Sequence, residues 1–105
     1  MEKIVEQGML YDFYGSLLTE HQQKIYEQVV YDDMSLNEIA QLQGISKQAV
    51  HDLVRRCTAQ MELYERKLHL IAKFRTIRSL CDEITRKSGD RQDIQELAGK
   101  IRSEL

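Results

Sequence analysis

Residues 36–55 read LNEIAQLQGISKQAVHDLVR, preceded by Met34 and Ser35. Ser35 followed three residues later by Glu38 is a capping box: the hydroxyl accepts a backbone N–H of the new helix while the carboxylate reaches back. Met34 and Ile39 stand at the two positions that staple such a start. The pattern predicts a short helix from Leu36 to Gln43. Gly44 then takes a left-handed conformation at little cost, and Ser46 caps a second helix that begins at Lys47, with Ile45 and Val50 as its staple. Ala40 is small where two helices must cross closely. Leu42 supplies, one position early, the apolar residue that often precedes the turn glycine, and Gln43 occupies that place instead. A short helix, a glycine turn and a capped second helix make a helix-turn-helix over about residues 35–57.

Projected at about 100° per residue, the second helix of this motif separates cleanly by chemistry. Ala49, Val50, Leu53, Val54 and Cys57 fall on one side, and Lys47, Gln48, His51, Asp52 and Arg55 share an opposite arc. In such motifs the polar face enters the major groove, with early residues at base edges and later basic ones near phosphates. Gln48 suits adenine, Arg55 suits guanine or phosphate, and Lys47 suits phosphate beside the helix N-terminus. With Ser46 and Arg56 at its margins and His51 at its centre, this is the expected nucleic-acid-binding set. Asp52 is a defect on such a face unless it accepts from a cytosine amine.

Outward from the motif the chain reads as consecutive helices. Leu10, Phe13, Tyr14, Leu17 and Leu18 line one face of a first helix over residues 2–18. Thr19 with Gln22 caps a second that buries Ile25, Tyr26, Val29 and Val30. The helix from Lys47 meets no Gly or Pro before Ser88-Gly89, and over residues 47–75 alone it would be about 43 Å long. Asp90 is expected to cap a last helix whose apolar face is Ile94, Leu97 and Ile101. Val50, Val54, Cys57, Met61, Tyr64, Leu68 and Ile71 alternate at spacings of 4 and 3, a heptad seam. Its distal part, Met61, Tyr64, Leu68 and Ile71, is expected to pair two chains in a homodimer; packing within one chain is the other reading. The fold expectation is one all-α domain over residues 1–105: a helix-turn-helix head, then a long fourth helix and C-terminal helices over about 58–105.

Composition narrows the function classes. The 105 residues carry 15 Lys plus Arg against 17 Asp plus Glu and contain no Pro or Trp. Residues 1–46 hold 8 acidic and 2 basic side chains, residues 47–78 hold 3 and 8, and residues 79–105 hold 6 and 5. Any contact with phosphate is therefore local to the basic middle, because the molecule as a whole is weakly repelled. Cys57 and Cys81 form no CxxC pair and read as reduced, packed thiols. His21, His51 and His69 are too dispersed for a metal pair, and no phosphate loop or nucleophile motif is present. The expectation is a cytoplasmic, non-catalytic protein without cofactor or metal and without membrane insertion.

The stretches LYDFYGSLLTEHQQKIYEQVV, YDDMSLNEIAQLQGISKQAVHDLVRRC and ELYERKLHL closely resemble the YlxM family of small bacterial proteins associated with the signal recognition particle. Leu18 to Arg56 also resembles, more distantly, region 4 of bacterial sigma factors. The resemblance implies a regulatory protein of the targeting pathway that delivers nascent membrane and secreted proteins. It implies contact with the particle's protein or RNA, for which the basic stretch Arg66, Lys67, Lys73, Arg75 and Arg78 is the expected surface. The other reading is a dimeric, sequence-specific binder of duplex DNA. In the family pattern an Arg is common at the place of Lys47, a Tyr at His51 and an Asn at Leu53. Lysine lacks the planar fork that reads guanine, so Lys47 is expected at phosphate.

Overall fold

The computed structural model describes residues 3–105; the expected first residue of the first helix, Glu2, lies outside them. Helix α1 spans Lys3–Tyr14, α2 Glu20–Val30, α3 Leu36–Gln43, α4 Lys47–Leu68, α5 Leu70–Lys87 and α6 Gln92–Ser103, with a 3₁₀ turn at Gly15–Leu17. No strand occurs among the described residues. The all-α, helix-turn-helix expectation holds. The chain falls into two compact units, one ending at Leu68 and one running from His69 to Leu105.

In the first unit both sequence-predicted capping boxes form. Thr19 accepts from the Gln22 amide at 3.2 Å while Gln22 accepts from the Thr19 amide at 3.0 Å. Ser35 and Glu38 exchange the same pair at 3.1 Å each way. Each box satisfies donors that a helix start otherwise leaves open. Helix α4 packs against α1, α2 and α3, and Tyr14, Ile25, Tyr26, Ile39, Val50, Cys57 and Met61 are fully buried between them. Tyrosines make this core unusual, because each needs a partner for its hydroxyl. The Tyr11 ring stacks on that of Tyr26 at 5.4 Å, and its hydroxyl donates to Glu27. The Tyr26 hydroxyl meets Thr58 Oγ1 at 2.6 Å, and that of Tyr14 donates to Glu65 at 2.5 Å.

The first helix ends earlier than its periodicity predicts. A Cβ on Gly15 would lie 2.7 Å from the Tyr11 ring, so only glycine lets the chain tighten there into a 3₁₀ turn. Leu18 then leaves in extended conformation and is buried, whereas Leu17, expected on the inner face, is exposed. A second correction concerns the turn: Leu42 is 63% exposed and takes no core position. Gln43 turns inward instead, its amide 3.4 Å from the buried Gln28.

The largest correction lies at residue 69. Helix α4 does not continue to Ser88; His69 adopts φ 56°, ψ 31°, and α5 starts afresh at Leu70. A left-handed residue halts a right-handed helix, and histidine tolerates that conformation better than most residues. Helix α4 is thus about 33 Å long, and residues 69–75 of the expected rod belong to the second unit. That unit is a hairpin of α5 and α6. Cys81 and Ala98 are buried. The expected apolar face of the last helix does not form its packing surface: Ile94 is half-buried and Leu97 and Ile101 are exposed. Asp90 does not cap α6. Arg91 holds that position without a side-chain cap, and instead grips Asp93 with two hydrogen bonds of 3.0 and 2.8 Å.

Candidate nucleic-acid interface

The turn between α3 and α4 is built as the sequence requires. Gly44 sits at φ 68°, ψ 32°, and its amide donates to Ala40; Ile45 donates to the same carbonyl at 3.1 Å. Ser46 Oγ accepts from the Ala49 amide at 3.0 Å and opens α4. From there Val50, Val54, Cys57 and Met61 face the core. Lys47, Gln48, His51, Arg55 and Arg56 are exposed. The predicted polar arc is therefore present, on one helix, beginning at its capped N-terminus.

The electrostatics of the arc centre on one atom. Oδ1 of Asp52 accepts from Gln48 Nε2 at 3.0 Å, lies 3.7 Å from Arg55 Nη2 and 3.8 Å from His51 Nδ1. Arg56 Nε donates to the Asp52 carbonyl at 3.4 Å. Three of the side chains expected to bind nucleic acid are thus gathered around one partly exposed carboxylate. The i,i+3 and i,i+4 relations of Arg55 and Gln48 to Asp52 are visible in the sequence, but their convergence with the adjacent His51 on a single oxygen is not. Exposed pairs of this kind contribute little to stability, so a ligand can displace them cheaply.

Beside the arc, α1 and α4 enclose a cavity of about 250 Å³ whose walls include Lys3, Gln7, His51, Arg55, Thr58 and Glu62. Lys3 and Gln7 belong to the neighbourhood of the polar face, yet lie more than 40 residues away along the chain, with no sequence signal linking them to it. Gln7 is buried within this shoulder.

The other predicted sets are divided. Arg66 and Lys67 are exposed in the last turn of α4, whereas Lys73, Arg75 and Arg78 are on α5, in the second unit. The basic stretch is not one continuous helical surface. The heptad seam is also corrected: Met61 is fully buried in its own chain, the Tyr64 ring packs at 6.0 Å from that of Tyr14, and Ile71 is on the other side of the break. Only Leu68 of the four is exposed. Cys57 and Cys81 are free and buried, and burial pushes the Cys57 thiol up. No group of three metal-ligating side chains comes together among the described residues. No described helix is long and apolar enough to cross a membrane.

Residues 1–101 match the family model UPF0122, described as "Putative helix-turn-helix protein, YlxM / p13 like". The chain belongs to this family. A UPF0122 protein of Shouchella clausii is 42% identical over 95 residues, covering 90% of this chain and 87% of the relative. One of Symbiobacterium thermophilum is 40% identical, with 90% and 87% covered. One of Clostridium botulinum reaches 51% over 73 residues, with 70% and 67% covered. For a UPF0122 chain, the α3–turn–α4 geometry is the feature that the family description names.

Proposed function

We propose that the protein is a cytoplasmic, non-catalytic regulator of the signal recognition particle pathway that works by binding, with the exposed face of α4 as its contact surface. The observation carrying this reading is the division of α4. One face is committed to the core, and the other presents Lys47, Gln48, His51, Arg55 and Arg56 from a capped helix start. Cations and an amide on a rigid helix suit a polynucleotide, whose phosphates take charge and whose base edges take hydrogen bonds. The place in the targeting pathway rests on the family resemblance, and the particle's RNA is the partner whose chemistry matches the face.

A second reading is a sequence-specific regulator binding duplex DNA as a dimer. It is favoured by the Gly44 turn and the Ser46 cap, which arrange α3 and α4 as groove-reading motifs do. Fluorescence anisotropy with the particle's RNA and with its protein subunit, beside selection from a random duplex DNA pool at low and physiological salt, separates the two. Binding of the RNA that is abolished by Arg55→Glu supports the first. A DNA motif enriched at both salts, with about 1–3 kcal/mol lost on Gln48→Ala, supports the second. Asp52→Asn is expected to tighten either complex by about tenfold, ~1.4 kcal/mol, because it removes a like charge from the phosphates and ends the ion pair with Arg55, while the amide oxygen still accepts from Gln48. Binding unaffected by all three substitutions would remove α4 from the contact surface.

A further inference from the structure

The hairpin of α5 and α6 buries little of its own apolar surface. At 100° per residue, Ile77, Leu80 and Ile84 occupy an arc of about 60° on α5, beside the buried Cys81. Ile94, Leu97 and Ile101 occupy the equivalent arc on α6, beside the buried Ala98. Two antiparallel helices that meet through Cys81 and Ala98 carry both arcs on the same side, and Leu80, Ile84 and Ile94 line one shared groove there. Leu80 is 53% and Leu97 60% exposed, which is high for leucines on regular helices. A two-helix unit of this size has one apolar layer and no second layer of its own to lay on it.

We propose that a second copy of this chain covers that face, two hairpins closing a four-helix bundle about a two-fold axis parallel to the helices. Charge selects this occupant. The axis sets α5 of one copy antiparallel against α6 of the other, at matching heights. The α5 strip begins near Lys73 and ends near Lys87. The α6 strip ends near Glu104, and Asp90 stands in the turn before it. Lys73 of each copy then meets Glu104 of the other, while Lys87 stays paired with Glu83 of its own chain at 2.8 Å, so the two identical faces are complementary in charge at their Lys73–Glu104 ends as well as apolar between them. The apolar arcs meet in between, Leu80 against Leu97 and Ile101. This replaces the dimer seam expected on α4, whose Met61 is committed inside its own unit. It stands independently of the function assigned to the α4 face.

Sedimentation equilibrium of the full-length chain tests the assignment, with helicity followed by circular dichroism. A dimer at micromolar concentration is expected, and Leu80→Glu with Leu97→Glu, both at exposed positions, is expected to give a helical monomer. Lys73→Glu and Glu104→Lys should each weaken the dimer severalfold and together restore it, a rescue that a folding defect cannot mimic. A wild-type chain that stays monomeric at 100 micromolar, or a dimer indifferent to both sets of substitutions, would overturn the proposal.

Discussion

Met61 shows how one residue changes meaning between sequence and structure. Its place in an unbroken heptad makes it a candidate for a partner chain, and only the packing of α4 against α1 and α2 reassigns it to the interior. The expected result of Met61→Ala is a loss of about 2–5 kcal/mol, measured by urea denaturation, because a buried side chain is deleted and a cavity remains. An exposed seam residue would lose almost nothing. Asp52 is legible in part. Its position opposes phosphate binding on paper, but its role as acceptor of Gln48 and close neighbour of His51 and Arg55 requires rotamers that only the folded helix provides.

At the scale of elements, the starts within the first unit were easier to read than the break that ends it. Thr19 with Gln22, Ser35 with Glu38, and Ser46 each announce a helix through local hydrogen bonds that a few neighbouring residues specify. The break at His69 has no such announcement, since neither glycine nor proline marks it, and propensity alone lets α4 run on. Two units that pack separately override that propensity. The left-handed backbone at His69 makes a test possible. His69→Val, whose branched Cβ is strained at positive φ, is expected to destabilise the protein by about 1–2 kcal/mol. His69→Gly is expected to be close to neutral, relief of that strain offsetting the freedom glycine adds to the unfolded chain. Matched thermal melts of the two variants would measure the difference. If valine is tolerated as well as glycine, the break is not held at residue 69. The apolar arc of α6, Ile94, Leu97 and Ile101, is legible in the sequence, whereas that of α5, Ile77, Leu80 and Ile84, is hidden while residues 70–87 read as a continuation of α4. Which residues of α6 touch α5 is not legible either, because Ala98 contributes too little hydrophobicity to stand out.

Across the whole molecule, two tyrosines bonded to carboxylates, the buried Tyr11 and the half-exposed Tyr31, tie stability to alkaline pH. Burial and the hydrogen bond to Asp12 push Tyr31 up to about 12, and burial with the bond to Glu27 holds Tyr11 well above its ordinary value of 10.0. The unfolded chain releases these protons near pH 10, whereas the folded chain retains them. Stability from this source is complete below pH 10 and is lost as pH rises toward 12. Denaturant midpoints measured from about pH 9 upward should fall over this window, and less steeply in Tyr31→Phe. An identical slope in that variant would exclude Tyr31 as a source. The bond from Tyr14 to Glu65 carries a different consequence, for synthesis. It joins residues 51 apart, from the first helix of its unit to nearly the last turn of α4. As the chain leaves the ribosome, α1, α2 and α3 are made without the surface that covers them, and the head closes only when the end of α4 has emerged. A pause before that point would present bare tyrosine faces to chaperones, while one placed after Leu68 would let the head mature before the hairpin exists.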